Sequence, residues 1–524
     1  MDGCHLQLFE KEHEEYLKDE SRSVGYAQYI SFPKNEDEIK LAIKKAEEMD
    51  IPLTVQGART GISAGAVPEG GLVLNLSKMD QVTGMRFCPE EQAFFLTCQP
   101  GIVLSTLREK IQNKDFPTAG WTEESLAAYE LFNDSQEWFF PPDPTETSAT
   151  IGGMIACNAS GARTFHYGPT RDYINALSLI TADGSSLRLK RGENTAEGSR
   201  YTLTMENGKK RQGTFPGYSW PKIKNASGYY ADKNMDLIDL FIGSEGTLGI
   251  VSEAELRLSP APGEMWSMTA FFEDEESAVN FVIRLREERF PEAVVAAIEY
   301  FNVHALNLLR EQRKTPAFES IPEISPEYHT AIYFELHGED EEAVSEAMMQ
   351  TCDILIEEGG DDEMTWIAVN EKEMEKLHFF RHATPEAVNL CIDERRKESP
   401  GLTKLGTDMA VPDCKLKEVI QLYSQSLKET DLEWVMFGHI GDNHIHVNIL
   451  PNTMEEYEKG KAIYQNWAKE VIAMGGTVSA EHGIGKLKKS FLKDMYGEEG
   501  IEAMKEVKKE FDPQERLNKG CLFE

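Results

Sequence analysis

Residues 51–76 read IPLTVQGARTGISAGAVPEGGLVLNL, and the order of elements in this stretch decides the fold class. IPLTV (51–55) is a buried strand, a glycine-rich loop fills 56–71, and LVLNL (72–76) is a second strand. A Rossmann unit needs a strand, a glycine loop and then a helix. Here a strand follows the loop, so the glycines belong to another architecture. Upstream, NEDEIKLAIKKAEEMD (35–50) has helical spacing, and Asn35 is placed to cap that helix. Downstream, ALSLIT (176–181) and SLRLK (186–190) are strands around the turn ADGS. Residues 191–236 are polar and irregular and read as an insertion. SPAPGE (259–264) marks a boundary. Beyond it, about 265–435, strands such as WSMTAFF and TAIYFELHG alternate with helices such as SAVNFVIRLREE. The expectation is an α+β protein.

The 524 residues suit two or three domains, with no fixed-period repeat. A formal charge of −36 argues against nucleic acid and anionic membrane as partners, because phosphate binding needs a basic face. No apolar run is long enough to span a bilayer. The start, MDGCHLQLFEKEHEEYLKDE, is acidic and has no signal-peptide core. The eight cysteines include Cys4 and form no CxxC pair, which argues against iron–sulfur and thiolate-zinc sites and for a reduced, cytoplasmic setting.

Backbone N–H groups in tight turns hold a dinucleotide pyrophosphate, and glycine lets the chain approach without a Cβ clash. The loop Gly57, Ala58, Arg59, Thr60, Gly61, Ser63, Gly65 has that chemistry, with Arg59 supplying charge and Ser63 a hydroxyl. So do Gly152, Gly153, Asn158 and Gly161, and then Gly243, Glu245 and Gly246. One such loop reads equally as a tight turn in a β-rich domain; three in one half of the chain favour a ligand.

QGARTGISAGAVP, PPDPTETSATIGGMIACNASGARTFHYGPTRDY (141–173) and IGSEGTLGIVSEAELRL resemble the FAD-binding segments of the vanillyl-alcohol oxidase/p-cresol methylhydroxylase flavoprotein superfamily. Within it they are most similar to the group of FAD-linked D-lactate dehydrogenase, glycolate oxidase and D-2-hydroxyglutarate dehydrogenase. The resemblance implies a two-lobed FAD domain over 1–262, a cap domain with an antiparallel sheet over 263–480, and a C-terminal segment, 481–524, that returns to the FAD domain. It implies FAD contacts from Gly57, Ala58, Arg59, Thr60, Gly61, Ser63, Gly65 and Ala66. It adds Pro141, Thr147, Thr150, Ile151, Gly152, Gly153, Asn158, Gly161, Tyr167, Gly168 and Asp172, then Glu245, Gly246, Ile250 and Asn518. With Ala58 and Arg59 at the linkage positions, the FAD is expected to be non-covalent.

WVMFGHIGDNHIHVNIL (434–450) reads as two strands joined by a turn. Period-two alternation puts His444, His446 and Asn448 on one face, and the turn brings His439 back toward His446. Downstream, GGTVSAEHGIGKLKK (475–489) carries Glu481 and His482. Two imidazoles and a carboxylate suit a divalent ion; equally, the histidines are ordinary hydrogen-bonded strand residues. GHIGDNHIH and AEHGIGK resemble the group's metal-binding and companion segments. This implies His439, His446 and Glu481 as ligands for a divalent metal, zinc first and manganese or iron next. It implies His482 as base and Asn448 as a substrate contact. His444 stands where the group commonly has asparagine, which adds a donor near the site or points to solvent.

HFFRHATPEAVN (378–389) puts Arg381 just before a Pro-initiated helix, and the resemblance implies that it grips a substrate carboxylate, assisted by Lys404 of KLGTDMAVP (404–412). The expected reaction is oxidation of a D-2-hydroxy acid to the 2-oxo acid. His482 takes the hydroxyl proton, the metal acts as Lewis acid, and hydride passes to flavin N5. The electron acceptor is a quinone, an electron-transfer flavoprotein, an iron–sulfur subunit or a cytochrome. Three rivals stand: a non-redox flavoenzyme of the alkylglycerone-phosphate-synthase type, a flavin-binding electron-transfer subunit without its own substrate, and a metallohydrolase without flavin.

Overall fold

The computed structural model describes residues 6–524; Cys4 and the first residues of the acidic opening segment lie outside the described residues. The helix Glu36–Glu48 begins where its sequence places it, with the Asn35 side chain accepting from the Glu38 amide at 3.0 Å. Its apolar stripe (Ile39, Ala42, Ile43, Ala46) packs on Leu53, Leu72 and Leu74.

Strands Leu53–Gln56 and Leu72–Asn75 lie side by side and parallel. Residues 57–71 connect them without a helix or strand of their own. They belong to a four-stranded sheet with Tyr29–Ser31 and Gln7–Leu8. A five-stranded antiparallel sheet follows, in the order Val82–Cys88, Ala93–Cys98, Ile250–Arg257, Ile174–Ile180, Ser186–Lys190.

The third sheet has seven strands, all antiparallel: Thr365–Ala368, Glu264–Phe272, Thr330–Gly338, Ala293–Phe301, Trp434–His439, His444–Ile449 and Leu405–Gly406. Three parts of it matter for function. Strands 434–439 and 444–449 form a hairpin in which His439 and His444 are direct partners. Ile445, Val447 and Ile449 turn into the core, so His444, His446 and Asn448 share the opposite face. Strand 293–301 pairs with this hairpin through Tyr300 and Gly438, which brings Glu299 beside it.

Two expectations about local structure change. Arg381 does not precede a Pro-initiated helix; it lies inside one long helix, Glu371–Arg396, that also contains Pro385. Proline lacks the N–H that would bond the carbonyl four residues back. That carbonyl belongs to Arg381, so the helix is locally weakened at the residue that faces the cleft. The segment 191–236 is not merely irregular. It folds a hairpin, Arg200–Thr204 with Lys210–Thr214, whose Tyr201 stacks on Phe511 at 6.0 Å.

Among the described residues no helix is long and apolar enough to cross a membrane. The seven described cysteines are all free thiols.

Candidate active site

One cleft of about 800 Å³ is lined both by the glycine turns of the first half and by the histidine cluster of the second. Its volume is in the range of small-molecule sites, about 300–1,000 Å³. Of the sequence-derived flavin contacts, Gly57, Ala58, Arg59, Thr60, Gly61, Ser63, Gly65, Ala66, Thr150, Gly152, Gly153, Glu245, Gly246, Ile250 and Asn518 line it. Their conformation is unusual: Arg59 and Ala64 adopt φ of 65° and 61°, the left-handed region. Among the described residues, the amides of Ala58 through Gly65 donate to no protein acceptor. A Cβ added at Gly61 or Gly65 would meet nothing within 4 Å. A row of unused donors along an open glycine face fits a pyrophosphate-bearing nucleotide.

Pro141, Thr147, Ile151, Asn158, Gly161, Tyr167, Gly168 and Asp172 do not line the cleft. They build its wall. Ile151 is core, 1% exposed. Asn158 closes the helix Ile151–Cys157 in the left-handed region and accepts from the Arg171 amide at 2.9 Å. Gly161 passes so close to Asp143 that a Cβ would sit 1.6 Å from its carbonyl oxygen. The Thr147 carbonyl accepts from Ser105, and Tyr167 meets His337 Nδ1 at 2.7 Å. Small residues here serve backbone-to-backbone packing, which sequence cannot tell from ligand contact. Arg59 lines the cleft while its guanidinium stacks on Tyr16 at 4.3 Å and pairs with Glu15 at 3.3 Å.

The glycine turns are tied directly to the C-terminal segment. Ser63 Oγ donates to the His482 carbonyl (3.2 Å), and the Lys486 amide donates to the Ser63 carbonyl (2.9 Å). The buried Glu245 carboxylate accepts from the amides of Ile484 (2.7 Å) and Gly485 (2.8 Å), and burial pushes its carboxyl up to about 7. Asn518 accepts from the Val55 amide at 2.7 Å and donates to the Glu245 carbonyl at 2.7 Å. Gly61→Val is therefore expected to leave the melting temperature of the FAD-free protein unchanged. Overfilling the cradle costs about 1–3 kcal/mol, which weakens FAD binding about ten- to hundredfold. Visible flavin absorbance per protein checks the second effect, and thermal unfolding the first.

His439, His444, His446 and Glu481 each offer one ligand atom, all within 4.8 Å of one another. His439 Nε2 and His446 Nε2 stand 3.5 Å from the two Glu481 oxygens. Their other nitrogens are fixed from behind. His439 Nδ1 meets Glu299 at 2.5 Å, and His446 Nδ1 meets the Thr407 carbonyl at 2.9 Å. A carbonyl only accepts, so Nδ1 of His446 carries the proton and Nε2 presents a lone pair. This is how metal-ligating imidazoles are oriented. His444 is fully buried and does not point to solvent. Its Nδ1 is 3.8 Å from Glu481 and its Nε2 3.1 Å from Asp408, neither aligned as a hydrogen bond. Burial holds it well below the usual histidine range. The donor set fits a divalent cation, with His439, His446 and Glu481 best oriented.

His482 lies beside this cluster. Its Nδ1 is 3.3 Å from Asp408 and its Nε2 3.2 Å from Glu481, and the ring faces the cleft. Burial opposes its charged form, but Asp408 and Glu481 prevail and raise it to about 9. Asp408 organises the whole segment. It accepts from Ser479 Oγ (2.6 Å), Lys488 Nζ (2.6 Å) and the amides of Glu481 and His482.

Arg381 and Asn448 are buried and line the same cleft. The carboxylates nearest Arg381, Glu299 and Glu335, stand 3.6 and 3.9 Å away, which leaves its donors available. Lys404 Nζ lines the cleft too and donates to Asn389 at 2.9 Å; burial, then Arg22, push it down to about 8.

Sequence reasoning missed Asp408 as organiser, Glu299 behind His439, and Lys224, whose ammonium is 2.9 Å from Glu481. Glu299 had a signal: a single carboxylate inside the apolar strand AVVAAIEYF must be paired if buried. Lys224 had none.

Two family profiles together cover most of the residues that line the cleft. One described as an FAD binding domain matches residues 27–120 and 125–190, and one described as FAD linked oxidases, C-terminal domain, matches 262–522. The fold and cleft are those of an FAD-dependent oxidoreductase. The chain belongs to the FAD-linked oxidase family. It is 28% identical to a probable mitochondrial D-lactate dehydrogenase of Danio rerio, over 94% of this chain and 84% of the relative. It is 27% identical to a D-2-hydroxyglutarate dehydrogenase of Stutzerimonas stutzeri, over 94% of this chain and 90% of the relative. A solved alkyldihydroxyacetonephosphate synthase superposes with a TM-score of 0.60 over 95% of this chain and 77% of its own, at 14% identity, a likeness of fold alone.

Proposed function

We propose that this chain oxidises a D-2-hydroxy acid to the corresponding 2-oxo acid. The observation that carries this reading is a single cleft lined by the glycine cradle, the His439–His446–Glu481 donor set, His482 and Arg381. FAD, when bound, supplies the two-electron acceptor; a divalent cation, zinc first, supplies Lewis acidity when held by His439, His446 and Glu481. The relatives named for D-lactate and D-2-hydroxyglutarate support the substrate class.

The chain's own residues do the rest. Arg381 takes the substrate carboxylate in a charge-assisted, bidentate contact. Asn448 orients the acid from the strand beside His446. His482 Nε2 accepts the hydroxyl proton, while Asp408 holds Nδ1 and stabilises the imidazolium that results. A cation on Glu481 would offset only the Glu481 part of the pull that raises His482, the smaller part after that of Asp408. The free thiols agree with a reducing compartment, and the acceptor that reoxidises the flavin comes from outside the chain.

An anaerobic titration of the purified protein with D-lactate, glycolate and D-2-hydroxyglutarate tests the proposal. Bleaching of the flavin by one of them is expected; a flavin that none of them reduces would reject it. Lys404 gives a finer check. Its amine is cationic below about 8 and neutral above, so its help in anion capture is lost as pH rises through that value. kcat/KM, which reports the free enzyme, should fall on that alkaline limb, and Lys404→Met should remove the limb.

A further inference from the structure

Lys224 occupies an odd position for a cation. Its side chain is 3% exposed, and its ammonium lies 2.9 Å from Glu481 Oε2. That oxygen also faces His439 Nε2 at 3.5 Å and His444 Nδ1 at 3.8 Å. A lysine is thus aimed at the very carboxylate that completes the metal-donor set. A divalent ion on that oxygen would sit about 2.0–2.2 Å from it, close enough to repel the ammonium strongly. Both cannot keep these places.

The structure also supplies somewhere for the lysine to go. Asp442 Oδ2 stands 4.0 Å from the same ammonium, is buried, and has no hydrogen-bond partner. Its side chain is 16% exposed, so it is poorly hydrated. An unsatisfied buried carboxylate oxygen is costly and calls for an explanation. Lys224 and Asp442 both line a second cavity of about 800 Å³, which Asn158 and Ser160 also line. That cavity gives the four-carbon stem room to swing. The Gly161 carbonyl, 3.2 Å from the ammonium, anchors it in its present position.

We propose that Lys224 is an exchangeable counter-cation of the metal site. It neutralises Glu481 when no divalent ion is bound, and it moves to Asp442 when the ion takes Glu481. Metal affinity is then set by a competition inside the protein, not by the donor set alone. The inference rests on the metal reading proposed above and assigns a role to two residues outside that donor set. Lys224 is a positioning residue, since it acts through Glu481.

The test is zinc affinity of the FAD-loaded, metal-stripped protein, measured by competition with a chromophoric zinc chelator. Lys224→Met removes the competitor and should tighten zinc binding about tenfold or more. Asp442→Asn removes the acceptor for the displaced lysine and should weaken it. In the Lys224→Met background, Asp442→Asn should have little effect, because there is no lysine left to receive; the double-mutant cycle reads that coupling. Lys224→Arg keeps the charge and should stay near wild type. Should Lys224→Met fail to fold, the Asp442→Asn and Lys224→Arg affinities decide the matter, and an unchanged Asp442→Asn affinity overturns the exchange. Equal or weaker zinc binding by a folded Lys224→Met also overturns it, with the metal site itself intact. Wild-type protein that binds no zinc would remove the metal reading and the exchange together.

Discussion

His482→Ala is expected to slow flavin reduction by the 2-hydroxy acid about 10²–10⁴-fold, the usual contribution of a positioned general base. The imidazole can be removed cleanly. The main-chain groups of His482 that anchor the loop, its amide to Asp408 and its carbonyl to Ser63, stay in place. Visible flavin absorbance and zinc content should therefore match the wild type, which separates lost chemistry from lost structure. Stopped-flow reduction under anaerobic conditions reads the effect. A normal rate in this variant would mean that another group takes the proton.

On the proposed reading a divalent metal is held by His439, His446 and Glu481, and stripping it should have a comparable effect. A Lewis acid is worth several kcal/mol of transition-state stabilisation; about 4 kcal/mol is a loss near 10³-fold. Activity should return on adding zinc or manganese. The group behind His439 offers a gentler probe. Glu299 holds His439 Nδ1 at 2.5 Å and so fixes which nitrogen faces Glu481. Glu299→Gln should weaken metal binding about 10–100-fold, the usual cost of losing such an outer partner. Full activity after verified removal of all divalent metal would eliminate the Lewis-acid step.

Much of the site was legible because it rests on local patterns. The alternation in HIHVNIL puts His444, His446 and Asn448 on one face, and the hairpin has that register. The loop 57–65 declared itself through glycines between two strands. The helix around Arg381 misled, because a proline usually opens a helix, whereas here packing carries the helix through Pro385. The segment 141–173 divides: Thr150, Gly152 and Gly153 line the cleft, whereas Gly161 and Gly168 do not. Gly161 and Gly168 are small because backbone and side chain crowd them, at Asp143 and Asp172. A glycine required by packing and a glycine required by a ligand look the same in sequence.

By itself, then, the sequence determined the elements: which strands form, which faces carry imidazoles, and that the first glycine loop, 56–71, leads into a strand and not a helix. These follow from period, propensity and turn chemistry within a few residues. Only the tertiary structure decided who meets whom. Glu481 stands by His439 although no local pattern joins them, Glu245 clamps the loop after His482 from more than two hundred residues away, and Lys224 reaches the donor set from an irregular stretch. Such contacts are made by packing between sheets, and a buried charge acquires its partner only when the chain has closed around it.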